Sequence, residues 1–167
     1  MKFTKAQVLT LTVTIVFTII AGNNLFAQEK EINEKDVPAK VIAVFQKAYP
    51  KAIVKGTSIE TEHGKKFYEI ESMEGSKHID LLITSAGKIN EIEEIISANQ
   101  IPGSVMKTLE TKFKGLKVEK AEKVTHGSVS NYELLIESKS GKHEVKLNDA
   151  GKVLKTEKIS KRLDSID

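Results

Sequence analysis

Residues 66–73 read KFYEIESM, and residues 130–137 read SNYELLIE. In both stretches apolar side chains alternate with polar ones, which is typical of a β-strand with one buried face and one face in water. A tyrosine followed by glutamate and an aliphatic residue occurs at Tyr68 and again, 64 residues later, at Tyr132. The chain therefore contains the same strand pattern twice.

The same shift relates segments on both sides of this strand. Val37-Pro38 corresponds to Ile101-Pro102, and Ala86-Gly87-Lys88-Ile89 corresponds to Ala150-Gly151-Lys152-Val153. Chance seldom preserves one register from the start to the end of a unit, so we infer an internal duplication. The expected segments are a short lead at 28–36, a first repeat at 37–99, a second repeat at 100–160 and a tail at 161–167.

A helix is expected at the start of each repeat. Apolar residues recur there at the spacing of one helical face. They are Val37, Val41, Val44, Phe45 and Ala48, then Ile101, Val105, Leu109 and Phe113. Pro38 and Pro102 suit a first helical turn, where the missing N–H costs nothing. Asp36 is the expected cap of the first helix.

Strands are expected after each helix, because the apolar residues then alternate with polar ones. The ranges are 52–61, 66–73 and 77–84 in the first repeat, and 117–125, 130–138 and 142–148 in the second. A fourth element at 88–96 and 152–159 is ambiguous. The isoleucines of 88–96 also fit one helical face, whereas Thr156 and the alternation around it favour a strand, which we prefer.

The predicted fold class is α+β, with two tandem repeats that each pack one N-terminal helix on a three- to four-stranded antiparallel sheet. The core of so small a unit is thin. We therefore expect the two copies to pack together or to join their sheets edge to edge.

Residues 1–27 have the layout of a secretory signal peptide. Lys2 and Lys5 form a basic start, Val8 to Ala21 carries no charge, and Ala27 is a small residue at a suitable cleavage point. The apolar run is shorter than the roughly 20 residues of a membrane-spanning helix. We expect cleavage after Ala27, no stable membrane span afterwards, and a periplasmic or secreted protein. An uncleaved membrane anchor is the alternative.

The composition argues against several classes of protein. The chain has no cysteine, which excludes disulfides and a lipid-modified cysteine. Loss of Lys2 and Lys5 with the signal lowers the formal net charge from +3 to about +1. Lysine and glutamate are mixed along the chain, and no basic stripe with interleaved aromatic residues occurs, so we expect no binding to nucleic acid.

The chain resembles the PepSY-like superfamily in its helix followed by hairpins, in its Tyr-Glu-Ile strand and in the turn that ends each repeat. That turn reads NDAGKV at residues 148–153, and Ser85 replaces the aspartate in the first copy. The tandem arrangement and the export signal are most similar to the beta-lactamase-inhibitor-protein-like branch. The resemblance covers residues 37–160 and implies an exported binding or inhibitory module without catalysis of its own.

The four histidines are the candidate metal ligands. His63 and His126 occupy one repeat position at a hairpin turn, and His78 and His143 lie close to another. No two of them have the short spacing of a zinc site, and no cysteine supports them. We expect no metal site and no cofactor.

Carboxylates and tyrosines are the other candidates. Glu91, Glu93 and Glu94 could be an acid–base pair or a charged strand edge, and we favour the edge. Tyr68 and Tyr132 are expected in the core, although an uncovered sheet face would make them anchors for a partner. We expect no catalytic residues.

Two functions remain open from the sequence. The first is a non-catalytic exported binding module that inhibits or covers a secreted or periplasmic enzyme, with an unknown protein or peptide as its partner. The alternative is an envelope protein that binds a small ligand or a metal at its histidine-bearing turns.

Overall fold

Backbone pairing joins almost all of the described chain into one antiparallel sheet. The computed structural model describes residues 29–62 and 64–159. In chain order its main elements are β1 (Lys30–Glu31), α1 (Ala39–Ala48), β2 (Ile53–Glu62), β3 (Lys65–Glu74), β4 (Lys77–Thr84), β5 (Ile89–Ile95), α2 (Gly103–Lys112), β6 (Lys117–His126), β7 (Val129–Ser138), β8 (Gly141–Asn148) and β9 (Val153–Ile159). The predicted signal peptide at 1–27 and tail at 161–167 lie outside the described residues.

The nine strands lie side by side in the order of the sequence, and each is antiparallel to the next. β5 pairs with β6 from Ile92 opposite Thr125 to Ile95 opposite Glu122. The predicted fold class, two α+β repeats each with its own three- to four-stranded sheet, is therefore wrong. Joining the strands removes two exposed sheet edges and satisfies their backbone N–H and C=O groups.

The two halves nevertheless have the same succession of elements. Each has a helix of 10 residues followed by strands of 10, 10, 8 and 7 residues. The ambiguous segment at 88–96 contains strand β5, so the preferred interpretation is confirmed. The division into repeats at 37–99 and 100–160 stays a prediction.

Both helices pack on the same face of the sheet. α1 buries Val41 and Phe45 in one apolar cluster, and α2 buries Val105 and Leu109 in another. The strands contribute Ile70, Ile79, Leu81 and Ile83 to the first cluster and Leu134, Ile136, Val145 and Leu147 to the second. Tyr132 is buried in the second cluster and Tyr68 packs against the first, which confirms their predicted core positions.

The helices begin differently from the prediction. Pro38 and Pro102 are the N-cap residues, so each helix starts one residue later than a first-turn proline would give. Asp36 lies in a short 3-10 turn ahead of α1 and does not cap that helix.

The turn between β8 and β9 is packed against the start of α2. Gly151 has φ +79°, and a Cβ atom there would collide with the backbone carbonyl of Ser104 in α2. The Ser104 hydroxyl also donates a hydrogen bond of 2.7 Å to the Asp149 carbonyl. Glycine is needed here because of its left-handed conformation and because of the close approach of the helix.

We expect Gly151→Ala to destabilise the protein more than Gly127→Ala does. Gly127 also has positive φ, but a Cβ there meets no atom within 4 Å. The Gly127 variant should lose about 1 kcal/mol, the cost of the left-handed backbone, and the Gly151 variant should lose this amount plus the cost of displacing α2. Urea unfolding of both variants measures the difference, and equal losses would contradict the packing described here.

Candidate binding face

The face of the sheet opposite the helices is the candidate site, and we call it the open face. Within residues 29–62 and 64–159, no helix lies on it. Because side chains alternate along a strand, the neighbours of the core residues point to this side. They include Ser58, Phe67, Glu69, Glu71, Asp80, Leu82, Glu91, Glu93, Ile95, Glu122, Val124, Glu133, Glu144 and Lys146.

Three carboxylates stand in direct register across the first half of the open face. Glu71 of β3 is opposite Asp80 of β4, which is opposite Glu93 of β5. We call them the carboxylate row. On one side the row ends at Gly56, over which the Glu71 carboxyl lies, since a Cβ at Gly56 would be 3.0 Å from the Glu71 side chain. Like charges directly opposite each other destabilise a sheet, so the row costs folding stability wherever its carboxyl groups are ionised.

Burial raises the pKa of several carboxyl groups on this face. The pKa of Asp80 rises to about 7 and that of Glu69 to about 7, in both cases mainly because burial disfavours the charged form. The pKa of Glu93 rises to about 9 through burial, a hydrogen bond with the Glu91 carboxyl and nearby acidic groups. These groups therefore hold protons near neutral pH.

Hydrogen bonds oppose part of these shifts. The Ser58 hydroxyl donates to Glu69 Oε2 at 2.8 Å, and the Ser72 backbone N–H donates to Asp80 Oδ1 at 3.3 Å. Both bonds favour the charged carboxylate, but burial has the larger effect.

Ion pairs with lysine on the open face lie in its second half. Lys120 Nζ is 2.5 Å from Glu122 Oε1, and Lys146 Nζ is 2.5 Å from Glu133 Oε1. In the part of the chain that the structure describes, the salt bridges include none of the carboxylate row. The first half of the face therefore carries excess acid, and the second half is close to balanced.

Apolar side chains lie between these acids. Phe67, Leu82 and Val124 are only 6%, 2% and 1% exposed, yet they belong to neither helix-side cluster. Leu82 is flanked by Glu69 and Glu91 in register. The face is therefore a mixed surface, with apolar floor positions among carboxyl groups.

The structure does not bring the three described histidines, His78, His126 and His143, together. His126 Nδ1 is 3.2 Å from the Asn90 carbonyl oxygen, and its Nε2 contacts the Glu91 carboxylate. His143 is buried beside the Phe113 ring, with ring centroids 5.1 Å apart. His78 is exposed opposite Met73, and His63 lies outside the described residues.

One group of carboxylates has the spacing to hold a cation. Ligand oxygens of Glu29, Glu69 and Glu71 lie within 4.8 Å of one another. Such oxygens suit a hard divalent cation, but exposed acidic groups commonly cluster without one. The group contains no histidine, so it differs from the sequence-based metal hypothesis.

The acids that the sequence singled out are divided between the two faces. Glu91 and Glu93 lie on the open face, whereas Glu94 pairs with Ile79 on the helix side. None of them is at a sheet edge, because β6 pairs with β5. The expected charged strand edge is therefore wrong. The only signal for the carboxylate row in the sequence is that acidic residues occur at alternate positions of β3, β4 and β5. Which of these residues stand side by side depends on how the strands pair.

A family comparison fits this architecture. The sequence model of the family described as "Putative beta-lactamase-inhibitor-like, PepSY-like" matches residues 9–91 and, a second time, residues 87–155. The chain belongs to this family. The predicted PepSY-like resemblance is thus confirmed. A search of the curated proteins finds no match to this PepSY-like chain.

Solved structures share the fold at low identity. A protein of Bacteroides eggerthii, described as one of the "putative periplasmic proteins", has a TM-score of 0.64 and 14% identity over 77% of this chain and 93% of its own. A DUF2874 family protein of Bacteroides uniformis gives 0.60 and 14% over 72% and 88%. A BLIP-like protein of Bacteroides fragilis gives 0.58 and 12% over 76% and 89%. At these identities the likeness establishes the fold alone.

Among the described residues, neither helix has the length and apolar character required to span a membrane.

We expect the free energy of unfolding to fall as the pH rises from 5 to 9. The folded chain keeps protons on Asp80 up to about pH 7 and on Glu93 up to about pH 9. The unfolded chain releases them near pH 4. Stability is therefore greatest at acidic pH and is lost as the pH passes the folded-state values. Urea titrations at pH 5, 7 and 9 measure this slope.

Neutral variants provide the control. Asp80→Asn and Glu93→Gln should each reduce the slope and raise stability at pH 9, because the buried group no longer ionises. Glu110→Gln, at an exposed position of α2, is the matched variant that removes one carboxyl group outside the open face. A wild-type stability that is flat or rises between pH 5 and 9 would contradict the described burial.

Proposed function

We propose that this chain is an exported, non-catalytic binding module that holds a protein or peptide of the cell envelope on its open face. The observation that carries the proposal is that, among residues 29–62 and 64–159, nine strands form one sheet and the helices lie on one side of it. An antiparallel sheet can be stable when helices cover one of its faces and water covers the other. Folding therefore does not require the other face to mix carboxylates with apolar residues.

The composition of the open face favours a basic partner. Among residues 29–62 and 64–159 no salt bridge joins the carboxylate row to a lysine, and Ile95, which is 40% exposed, provides apolar surface beside the row. Lysine or arginine side chains could lay their apolar stems on Ile95 and place their charged ends at Glu71, Asp80 and Glu93, where a nearby cation would lower the pKa of these carboxyl groups and so release their protons. Charge would then set orientation and association rate, while the apolar contact supplies affinity.

Binding of a basic partner would also explain why the chain keeps the carboxylate row although the row lowers the stability of the fold. Acidic groups that oppose each other across strands weaken the isolated fold, and a cationic partner would relieve their repulsion. Natural proteins often retain such local instability at functional sites.

Export and the absence of catalysis complete the proposal. The leader-like residues 1–27 support secretion, and the periplasmic descriptions of structural neighbours support an envelope location. The inhibitor-like family description and the BLIP-like neighbour support a non-enzymatic role. The mechanism would be occlusion, in which the face covers the cleft of a secreted or periplasmic enzyme.

Photo-crosslinking from defined positions tests the binding face. A benzophenone amino acid replaces Ile95, which lies on the open face and is 40% exposed. A matched variant carries it at Lys107, an exposed position of α2 on the opposite side. In the native periplasm we expect a defined protein adduct from position 95 only. Adducts from position 107 alone, or equally from both, would contradict the assignment.

Charge removal separates binding from folding. We expect Asp80→Asn to lower the yield of the adduct at position 95 at least about fivefold at pH 7.5, because a charge pair contributes about 1 kcal/mol or more to binding. The same change should stabilise the fold. Reduced binding by a more stable protein cannot arise from unfolding. An unchanged adduct yield would contradict a role for the carboxylate row.

Inhibition is a narrower proposal with its own assay. Purified β-lactamases and other periplasmic hydrolases, titrated with the exported chain, should include at least one that loses activity at micromolar concentration. That loss should weaken with Asp80→Asn. If the crosslinked partner is captured but keeps its full activity, the chain is a binding module and not an inhibitor.

A further inference from the structure

The last strand of the sheet has one long free edge. β9 pairs with β8, and within the residues that the structure describes no other strand lies beside it. The opposite border differs, because the two-residue strand β1 covers the middle of β2 at Ser58 and Ile59. A free edge of seven residues is a template for further strand pairing unless it is protected.

Backbone groups at the centre of β9 point outward. The Asn148 backbone N–H donates to the Lys152 carbonyl at 3.0 Å, which fixes the phase of the β8–β9 ladder. Hydrogen-bonded and non-bonded pairs then alternate, with the register shift between Lys146 and Leu147 accommodated at residue 154. Thr156, opposite Val145, falls in a non-bonded pair. Its N–H and C=O therefore face the free edge.

Across the β8–β9 ladder next to this edge, like charges stand opposite each other. On the open face Lys146 is directly opposite Lys155, and Glu144 is directly opposite Glu157. Such like pairs are destabilising. The pKa of Glu144 is raised by burial and by the carboxylates of Glu133 and Glu157, which reflects this crowding. Ion pairs in other directions offset part of this cost, because Lys146 Nζ is 2.5 Å from Glu133 Oε1 and Lys155 Nζ is 2.8 Å from Glu157 Oε1.

We propose that β9 is the interface of a homodimer, in which two copies pair their last strands antiparallel about a two-fold axis through Thr156. The two Thr156 residues then exchange their outward backbone hydrogen bonds. Lys155 of each copy comes opposite Glu157 of the other, in a non-bonded pair where Cα atoms are about 4.5 Å apart. The lysine pair of one chain thus faces the glutamate pair of its neighbour.

The regular pairing is limited to the centre of β9. Leu154, which is 49% exposed, lies at the register shift, where the alternation of faces is broken. The paired stretch is short, so the interface is smaller than the roughly 1,200 Å² of stable complexes. A weak, concentration-dependent dimer follows, with a dissociation constant on the order of 10–100 µM.

The dimer does not depend on the proposed function, but it would extend it. Lys155 and Glu157 lie on the open face, so the two-fold axis is perpendicular to the sheet and both open faces point to the same side. A continuous sheet would then present two binding faces together, and a partner with two basic segments would gain avidity.

Sedimentation equilibrium of the exported chain between about 5 and 500 µM tests the proposal, together with charge-reversal variants. The wild type should dimerise, and Lys155→Glu or Glu157→Lys should each weaken dimerisation at least about tenfold, because each creates two repulsive pairs. The double variant Lys155→Glu/Glu157→Lys should recover to within about threefold of the wild type. Lys152→Glu, the same charge change in the turn before β9, should have little effect.

Thr156→Pro gives a second, independent readout. It removes the outward N–H without breaking the β8 ladder, since proline is tolerated at a sheet edge. The variant should melt within about 3 °C of the wild type and be monomeric. A monomeric wild type at 500 µM, a double variant as weak as the singles, or dimers that survive Thr156→Pro would each overturn the proposal.

Discussion

The backbone pairing of β5 with β6 is the constraint on which the rest of the structure depends. It connects two series of one helix and four strands, and it places both helices on the same side. Two separate sheets would have left four edges, whereas one continuous sheet leaves two. The two apolar clusters stay separate, each under its own helix. The open face exists as a continuous surface only because of this joint.

Much of the architecture could be predicted from the sequence, because its elements are locally encoded. The alternation in KFYEIESM and SNYELLIE marks β3 and β7, and the helical spacing of Val41 and Phe45 marks α1. The separation into two sheets was wrong, although an edge-to-edge joint was one of the alternatives. Local sequence patterns do not indicate which strand edges pair with each other, because the backbone N–H and C=O groups that form the pairing are the same in every residue.

The candidate site was harder to predict. Glu71, Asp80 and Glu93 belong to three strands, and each looks like an ordinary solvent-facing residue in its own segment. Only the register places them in one row, and only the neighbouring side chains bury them enough to raise the pKa of Asp80 and Glu93. His78, His126 and His143, conspicuous in the sequence, lie apart because they belong to β4, β6 and β8, and another strand separates each of these from the next.

The sequential order of the strands also has a consequence for how the chain acquires its shape. Most ladders join strands that are neighbours along the chain and are connected by short turns, so they close small loops at low entropic cost. The β5–β6 ladder closes over the longer connection that contains α2. A polypeptide that crosses a membrane from its N-terminus can therefore form hairpins as they emerge, and the first half can present β5 as a ready template for β6.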